Sequence, residues 1–442
     1  SFRLVRAPAS AIRHSPSGNA HASRVDACLQ AAAMPPRGLR RTLSAAAALL
    51  SHASLPHRAA GAVLRASPAA ADAFEDYIST HQREYVPESE EYEMRRALFE
   101  RTRLLVEQQN ARPRRAWTAG LTKLADRTDG ELALLRGYRR DARPGGRFRT
   151  PRTRLGLFAG SGRAPGRGSS VAVPEDFSWK GLLKATTEVE DQQACGSCWA
   201  FSSATVLRAH SELFQQDRKF SVQQIVSCTE NPKECGGRGG CGGATAELAM
   251  DYAAQHGCQT SAEWEYDGTD NPKRCPSAVQ EEGKSLFQSP AATAPLMETG
   301  GMSFGLRGYT KLQENDLLPV LAALVQRGPV VVSLAAGNPW NMYLGGILDA
   351  CPRDTVIDHA VVLVGFGVGR GGSEDGLKYW HIQNSWGPMW GEAGFIRLAR
   401  HDDDEEAAYC GADDNPQIGS GCKGGPPEVE VCGTCGILYD VV

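Results

Sequence analysis

Gln192-Gln193-Ala194-Cys195-Gly196-Ser197-Cys198-Trp199-Ala200-Phe201 places two cysteines three apart, directly before a run from Trp199 to Phe214 that reads as a helix. A thiol at a helix N-terminus lies at the positive end of the helix dipole, which favours the thiolate. The thiolate is the nucleophilic form, so a reactive cysteine belongs at such a place. Taken alone, C-x-x-C also suits a redox pair or half a zinc site. No βαβ pattern surrounds it, which weighs against a thioredoxin-like reading.

Outward from this stretch, composition narrows the choices. The 442 residues suffice for two or three domains. No run approaches the ~18 uninterrupted apolar residues of a membrane span. The net charge of −3 conceals an asymmetry: residues 1–170 hold 29 Lys and Arg against 15 Asp and Glu, and residues 171–442 hold 19 against 36. Two such parts attract each other. The arginines of the first part are scattered and have no aromatic platform, so nucleic-acid binding is a poor reading. Of 13 cysteines only Cys28 precedes residue 171. That density suggests disulfides and an oxidising compartment.

The segment Cys-Gly-Ser-Cys-Trp, residues 195–199, resembles the signature of papain-family cysteine proteases. Three further matches extend the resemblance. Glu91, Arg95, Phe99, Thr102, Val106 and Asn110 follow the spacing of the ERFNIN motif of cathepsin L-type propeptides, with Thr102 and Val106 departing from it. Gly120, Thr122, Leu124 and Asp126 echo the GNFD motif at two of four positions. Downstream, Asp358-His359-Ala360, Asn384-Ser385-Trp386-Gly387 and Trp390-Gly391-Glu392-x-Gly394 occur in the family's chain order.

The resemblance implies an α+β fold of papain type: a helical left lobe and a β-barrel-like right lobe, preceded by a small helical propeptide domain. It assigns residues 1–70 to a leader-like, low-complexity segment, 71–140 to the inhibitory propeptide, 141–170 to an activation linker and 171–442 to the peptidase. The mature N-terminus is expected between Ser161 and Val173. Carried over residue by residue, Cys198 is the nucleophile, His359 the base and Asn384 the group that orients the imidazole. Gln192 donates to the oxyanion, Trp386 shields the His–Asn bond, and Gly242 and Gly243 line the substrate cleft. The implied activity is peptide hydrolysis by a zymogen, with processing at acidic pH. No cofactor and no metal is implied. The implied partners are protein or peptide substrates and the chain's own propeptide, with no nucleic acid and no membrane, on a monomer. A basic propeptide would be held on an acidic enzyme by charge. A papain fold without catalysis would need a substituted nucleophile or base, and neither is present.

Further expectations concern individual stretches. Met34, Arg37, Arg40, Arg41 and the apolar run Leu43–Leu50, followed by Ser51 and Ala53, read as a signal peptide or as low-complexity tail. The cysteine density fits the lumen of a lysosome, a vacuole or the secretory pathway. Residues 74–110 read as a long amphipathic helix. Ala244–His256 reads as helix, while Pro329–Leu334, Ala360–Val364, Tyr379–Gln383 and Gly394–Leu398 read as buried strands. Gly365, Gly367 and Gly369 suggest a hairpin turn, and the acidic run Asp402–Glu406 a solvated loop. The resemblance pairs Cys195 with Cys241, Cys228 with Cys275 and Cys351 with Cys435 or a neighbour. Cys410–Cys422 and Cys235–Cys258 are further candidates, and besides Cys198 the odd count leaves one cysteine free.

Overall fold

A computed structural model describes residues 68–137, 173–214, 216–272, 275 and 304–442, the side chains from residue 73 onward. The leader-like segment and the linker with its cleavage range lie largely outside the described residues.

The chain opens with two helices, α1 (Pro68–Thr80) and α2 (Glu90–Asn110), where the periodicity suggests one. Pro87 disfavours helical backbone in the residue before it. Ser89 then accepts from the Tyr92 amide as an N-cap, so a new helix starts there. Replacing Ser89 by alanine should cost about 1 kcal/mol; hydrogen exchange of the first-turn amides of α2 checks it, and unchanged protection refutes it. Phe74, Tyr77, Tyr92 and Phe99 form a small core between the helices. Asp126 is fully buried and accepts from Tyr77 Oη, Arg83 Nε and Tyr85 Oη. Arg95 forks onto Glu131 at 2.6 and 2.9 Å and also donates to the Asp126 carbonyl. Asn110 forms a two-way bond with the Ala119 backbone, donating to its carbonyl and accepting from its amide.

This prosegment continues through β1 (Trp117–Ala119) and α3 (Asp129–Leu135), the latter started by a capping box of Thr128 and Glu131. Residues 68–137 carry eleven Lys and Arg against thirteen Asp and Glu. The basic excess of the first 170 residues therefore lies outside the described prosegment. Residues 68–137 are thus not held on the rest of the chain by a bulk positive charge of their own.

Beyond residue 173 come β2 (Phe177–Ser178) and three helices, α4 (Cys198–Phe214), α5 (Val222–Cys228) and α6 (Ala246–His256). The second half adds α7 (Leu317–Gln326), β3 (Val330–Leu334), α8 (Asn338–Asn341), β4 (Tyr343–Leu348), β5 (His359–Val368), β6 (Lys378–Gln383) and β7 (Phe395–Ala399). It closes with α9 (Asp403–Ala408), β8 (Cys410–Asp413), β9 (Val429–Cys432) and β10 (Asp440–Val441). The strands form one sheet in the order β1-β4-β7-β6-β5-β3-β10, with β2 on β5, while β8 and β9 form a separate ribbon. The prosegment thus contributes β1 to the sheet edge at β4.

Two expectations are corrected here. Gly365 and Gly367 lie within β5, not in a hairpin turn. A Cβ on Gly365 would sit 2.2 Å from the Phe177 carbonyl, so the glycine admits β2 against β5. The acidic run forms α9, and its Glu406 is fully buried, accepting from Trp380 Nε1, the His401 amide and the Thr434 amide. Burying a carboxylate is tolerable when it is hydrogen-bonded in this way.

Disulfides join Cys195–Cys241, Cys228–Cys275 and Cys351–Cys435, as the resemblance implies. The other two differ from expectation: Cys235 pairs with Cys422 and Cys410 with Cys432. Cys198 and Cys258 stay free.

Candidate active site

Helix α4 packs its Phe201 and Ala204 against Ala360, Val362 and Val364 of β5 in a shared core. Its first residue, Cys198, therefore lies beside the start of that strand, where His359 sits. Antiparallel pairing of β5 with β6 brings the start of one strand to the end of the other, and Asn384 follows β6. His359 Nε2 lies 2.8 Å from Asn384 Oδ1. That oxygen can only accept, so Nε2 carries the proton. The other ring nitrogen, Nδ1, is buried without a protein partner and keeps its lone pair. Cys198 and His359 line one small cavity together with Arg136 and Gly137 of the prosegment.

Trp386 is buried and lies against the imidazole, ring centres 5.0 Å apart. Trp340 meets the same ring edge-on at 6.1 Å and stacks on Trp390. The sequence reading did not identify Trp340, whose context Asn-Pro-Trp-Asn carries no pattern of its own.

The prosegment occupies the cleft between these residues. Gln192 donates from Nε2 to the carbonyls of Leu135, at 2.7 Å, and Cys195, at 2.8 Å, while its Oε1 accepts from Ser385 Oγ. Arg136 reaches the Ala336 carbonyl and pairs with Asp358 at 3.1 Å. Gly137 lies against Gly243, where a Cβ would come 2.5 Å from the Gly137 carbonyl oxygen. Gly243 also has φ +90, so both backbone and space require glycine there. Gly242 bridges to Gly196 in the opposite wall of the loop. Lys123 adds an ion pair to Asp191. Of the seven residues expected at the site, Cys198, His359 and Gly243 line the cavity, and Asn384 and Trp386 contact the imidazole. Gln192 holds the prosegment and Gly242 pairs with Gly196, while Arg136 and Asp358 add to the cavity lining.

Burial governs the site's protonation. It pushes the Cys198 thiol up to about 11, against the opposing pull of the Ala360 and Trp199 amides. It holds the His359 imidazole down at about 4, opposed by the Asn384 bond and reinforced by Arg136. With the prosegment in place the pair is a neutral thiol and a neutral imidazole, the reverse of what the helix dipole alone suggests. Burial likewise raises the Asp358 carboxyl to about 6, against Arg136.

Residues 173–420 match the family model for papain family cysteine protease, more than half of the chain. The chain belongs to the papain family. Residues 74–132 match the cathepsin propeptide inhibitor domain, so this papain-family peptidase carries its own inhibitor domain. Cathepsin L of Sarcophaga peregrina is 30% identical over 340 residues, covering 74% of this chain and 88% of that protein. Vignain of Ricinus communis is also 30% identical, but the match spans 54% of this chain and 58% of vignain. Among solved structures, digestive procathepsin L2 of Tenebrio molitor superposes with a TM-score of 0.57 at 25% identity, covering 84% of this chain and 98% of that one. The fold is the α+β papain-like one, and the family makes the chain a cysteine-type peptidase in a zymogen form. No described helix is long and apolar enough to cross a membrane.

Proposed function

We propose that the protein is a cysteine endopeptidase made as a zymogen, in which Cys198, His359, Asn384 and Gln192 carry the chemistry. The observation that carries this reading is one cavity holding a free cysteine and a histidine whose far nitrogen is tied to Asn384. Once the prosegment leaves and water enters, the burial that keeps both groups neutral is relieved. The thiol proton then passes to His359 Nδ1, giving a thiolate–imidazolium pair. The thiolate attacks the scissile carbonyl, and the oxyanion takes hydrogen bonds from Gln192 Nε2 and the Cys198 amide. His359 returns its proton to the leaving amine as the C–N bond breaks, leaving an acyl-thioester. Water, deprotonated by His359, releases the acid and restores the thiol. Gly242, Gly243 and Trp386 form the substrate walls, and the substrates are peptides or proteins met by a monomer in a lysosomal, vacuolar or secreted setting. Labelling with a thiol-directed epoxide tests the reading. Modification of Cys198 alone, with loss of hydrolysis, is expected; hydrolysis that survives full modification overturns it.

Maturation at acidic pH belongs to the same proposal. The ion pairs Lys123–Asp191 and Arg136–Asp358 tie the prosegment to the peptidase. Two buried carboxyl groups, Glu131 and Asp358, respond to pH with opposite signs. Burial alone would raise Glu131, yet hydrogen bonds from Arg95 and Thr128 hold it at about 2. Its stabilisation is therefore complete above its unfolded value and is lost only as pH falls towards 2. Asp358, raised to about 6, disfavours the docked state at high pH and stops doing so as pH falls through that value. At about pH 5 the prosegment core should thus remain folded while cleavage in the linker, between Ser161 and Val173, proceeds. Processing is expected to run faster at about pH 5 than at pH 7, with α2 still protected from hydrogen exchange in a Cys198→Ala zymogen. Equal rates refute acid maturation, and lost protection refutes the sign argument.

A further inference from the structure

The segment between β7 and Thr434 is the least familiar part of the sequence. Its base is the β8–β9 ribbon, closed by Cys410–Cys432. On the β-lobe side the Ile357 amide donates to Asp413 Oδ2 at 3.1 Å. Gly419 lies so close to the same strand entrance that a Cβ would come 2.1 Å from the Ile357 carbonyl oxygen. On the helical side, Cys422 is joined to Cys235, the Gly236 amide donates to the Gly421 carbonyl at 2.9 Å, and the Lys423 amide donates to the Lys233 carbonyl at 3.0 Å. One bend is therefore fastened to both walls of the cleft, covalently on the helical side.

Ile418 and Gly419 of this bend line the cavity that holds Cys198 and His359. Its described lining includes Gly236, Gly243, Ala244 and Ala360, and Ile418 is the sole branched aliphatic side chain there. In the proposed reaction the leaving amine lies beside His359, and the acyl portion runs along Gly243. The pocket between Gly243 and Ile418 therefore faces the acyl portion. The prosegment crosses this place with Arg136, whose guanidinium turns to Asp358, and with Gly137, which has no side chain to insert beside Gly243.

We propose that residues 410–432 form a specificity strap, in which Ile418 walls the pocket for an acyl-side side chain and restricts substrates to peptides with a small residue there. The proposal rests on the thiol-protease reading above. A wall pinned by disulfides cannot retreat from a bulky group as a free loop can, so the steric limit is expressed as selectivity.

The test uses mature enzyme and two peptidyl epoxides that differ only in that side chain, alanine against phenylalanine. Rates are taken per Cys198 that reacts with iodoacetamide, so a partly misfolded preparation still gives a readable ratio. The wild type should favour the alanine probe. Ile418→Ala should raise the phenylalanine-to-alanine rate ratio about tenfold or more, the scale of one or two methylene groups in a pocket. A Cys235→Ala, Cys422→Ala double variant should shift the ratio in the same direction. A wild type that reacts with neither probe defeats the thiol-protease reading itself. A wild type that reacts, with both variants holding its ratio within about twofold, overturns the strap.

Discussion

Replacing Cys198 by alanine is expected to abolish peptide hydrolysis, a loss on the order of 10⁴-fold or more. The magnitude follows from the absence of a substitute. Among the described cysteines only Cys258 is also free, and burial pushes its thiol up to about 12, with its sulfur turned to the Ser221 carbonyl. His359 without a thiol can activate only water, and the oxyanion donors then work on an unassisted attack. The variant cannot process itself, so the measurement uses protein whose prosegment has been removed by an enzyme added in trans and then separated. Residual hydrolysis within about a hundredfold of wild type would overturn the assignment of the nucleophile. The intact wild-type zymogen supplies a control. With thiol and imidazole both neutral in the closed cleft, Cys198 should resist iodoacetamide until the prosegment is gone.

Replacing Gln192 by alanine should lower kcat by about 10²- to 10³-fold, the cost of one oxyanion donor. KM should move much less, because the donated hydrogen bond strengthens only as charge develops on the attacked oxygen. The side chain is already oriented for this role, since Ser385 Oγ donates to Oε1 and so turns the amide nitrogen into the cleft. In the zymogen the same nitrogen holds the Leu135 carbonyl. The substitution should therefore also weaken inhibition by added prosegment. A proportional rise in KM with kcat unchanged would assign Gln192 to substrate binding instead.

The geometry of the candidate site was legible because its parts are local. Cys198, His359 and Asn384 each sit in a short run that fixes its own secondary structure: a helix start, a strand start and a strand end. Antiparallel pairing of β5 and β6 then does the rest. The residues that sequence reasoning misplaced depend on distant partners. Cys235 and Cys422 are 187 positions apart, and nothing near either one specifies the other. Gly365 looks like a turn residue until β2 is laid across it. Glu406 looks solvated because the groups that satisfy it, Trp380 and Thr434, come from other elements. The basic character of the first 170 residues likewise averaged over stretches that do not share one surface. Arg136 and Asp358 could not be paired in advance, since each has an ordinary local context and only the path of the prosegment joins them.

The cross-link from Cys235 to Cys422 has a practical consequence for the laboratory. Thiol enzymes are customarily assayed with added dithiothreitol or cysteine to keep the nucleophile reduced. Here the same additive competes for a bond that fastens the far side of the cleft, so a preparation's apparent preferences will depend on how long and how strongly it was reduced. Selectivity should be compared between samples only at matched reductant exposure, with the cross-link's integrity verified by mass spectrometry.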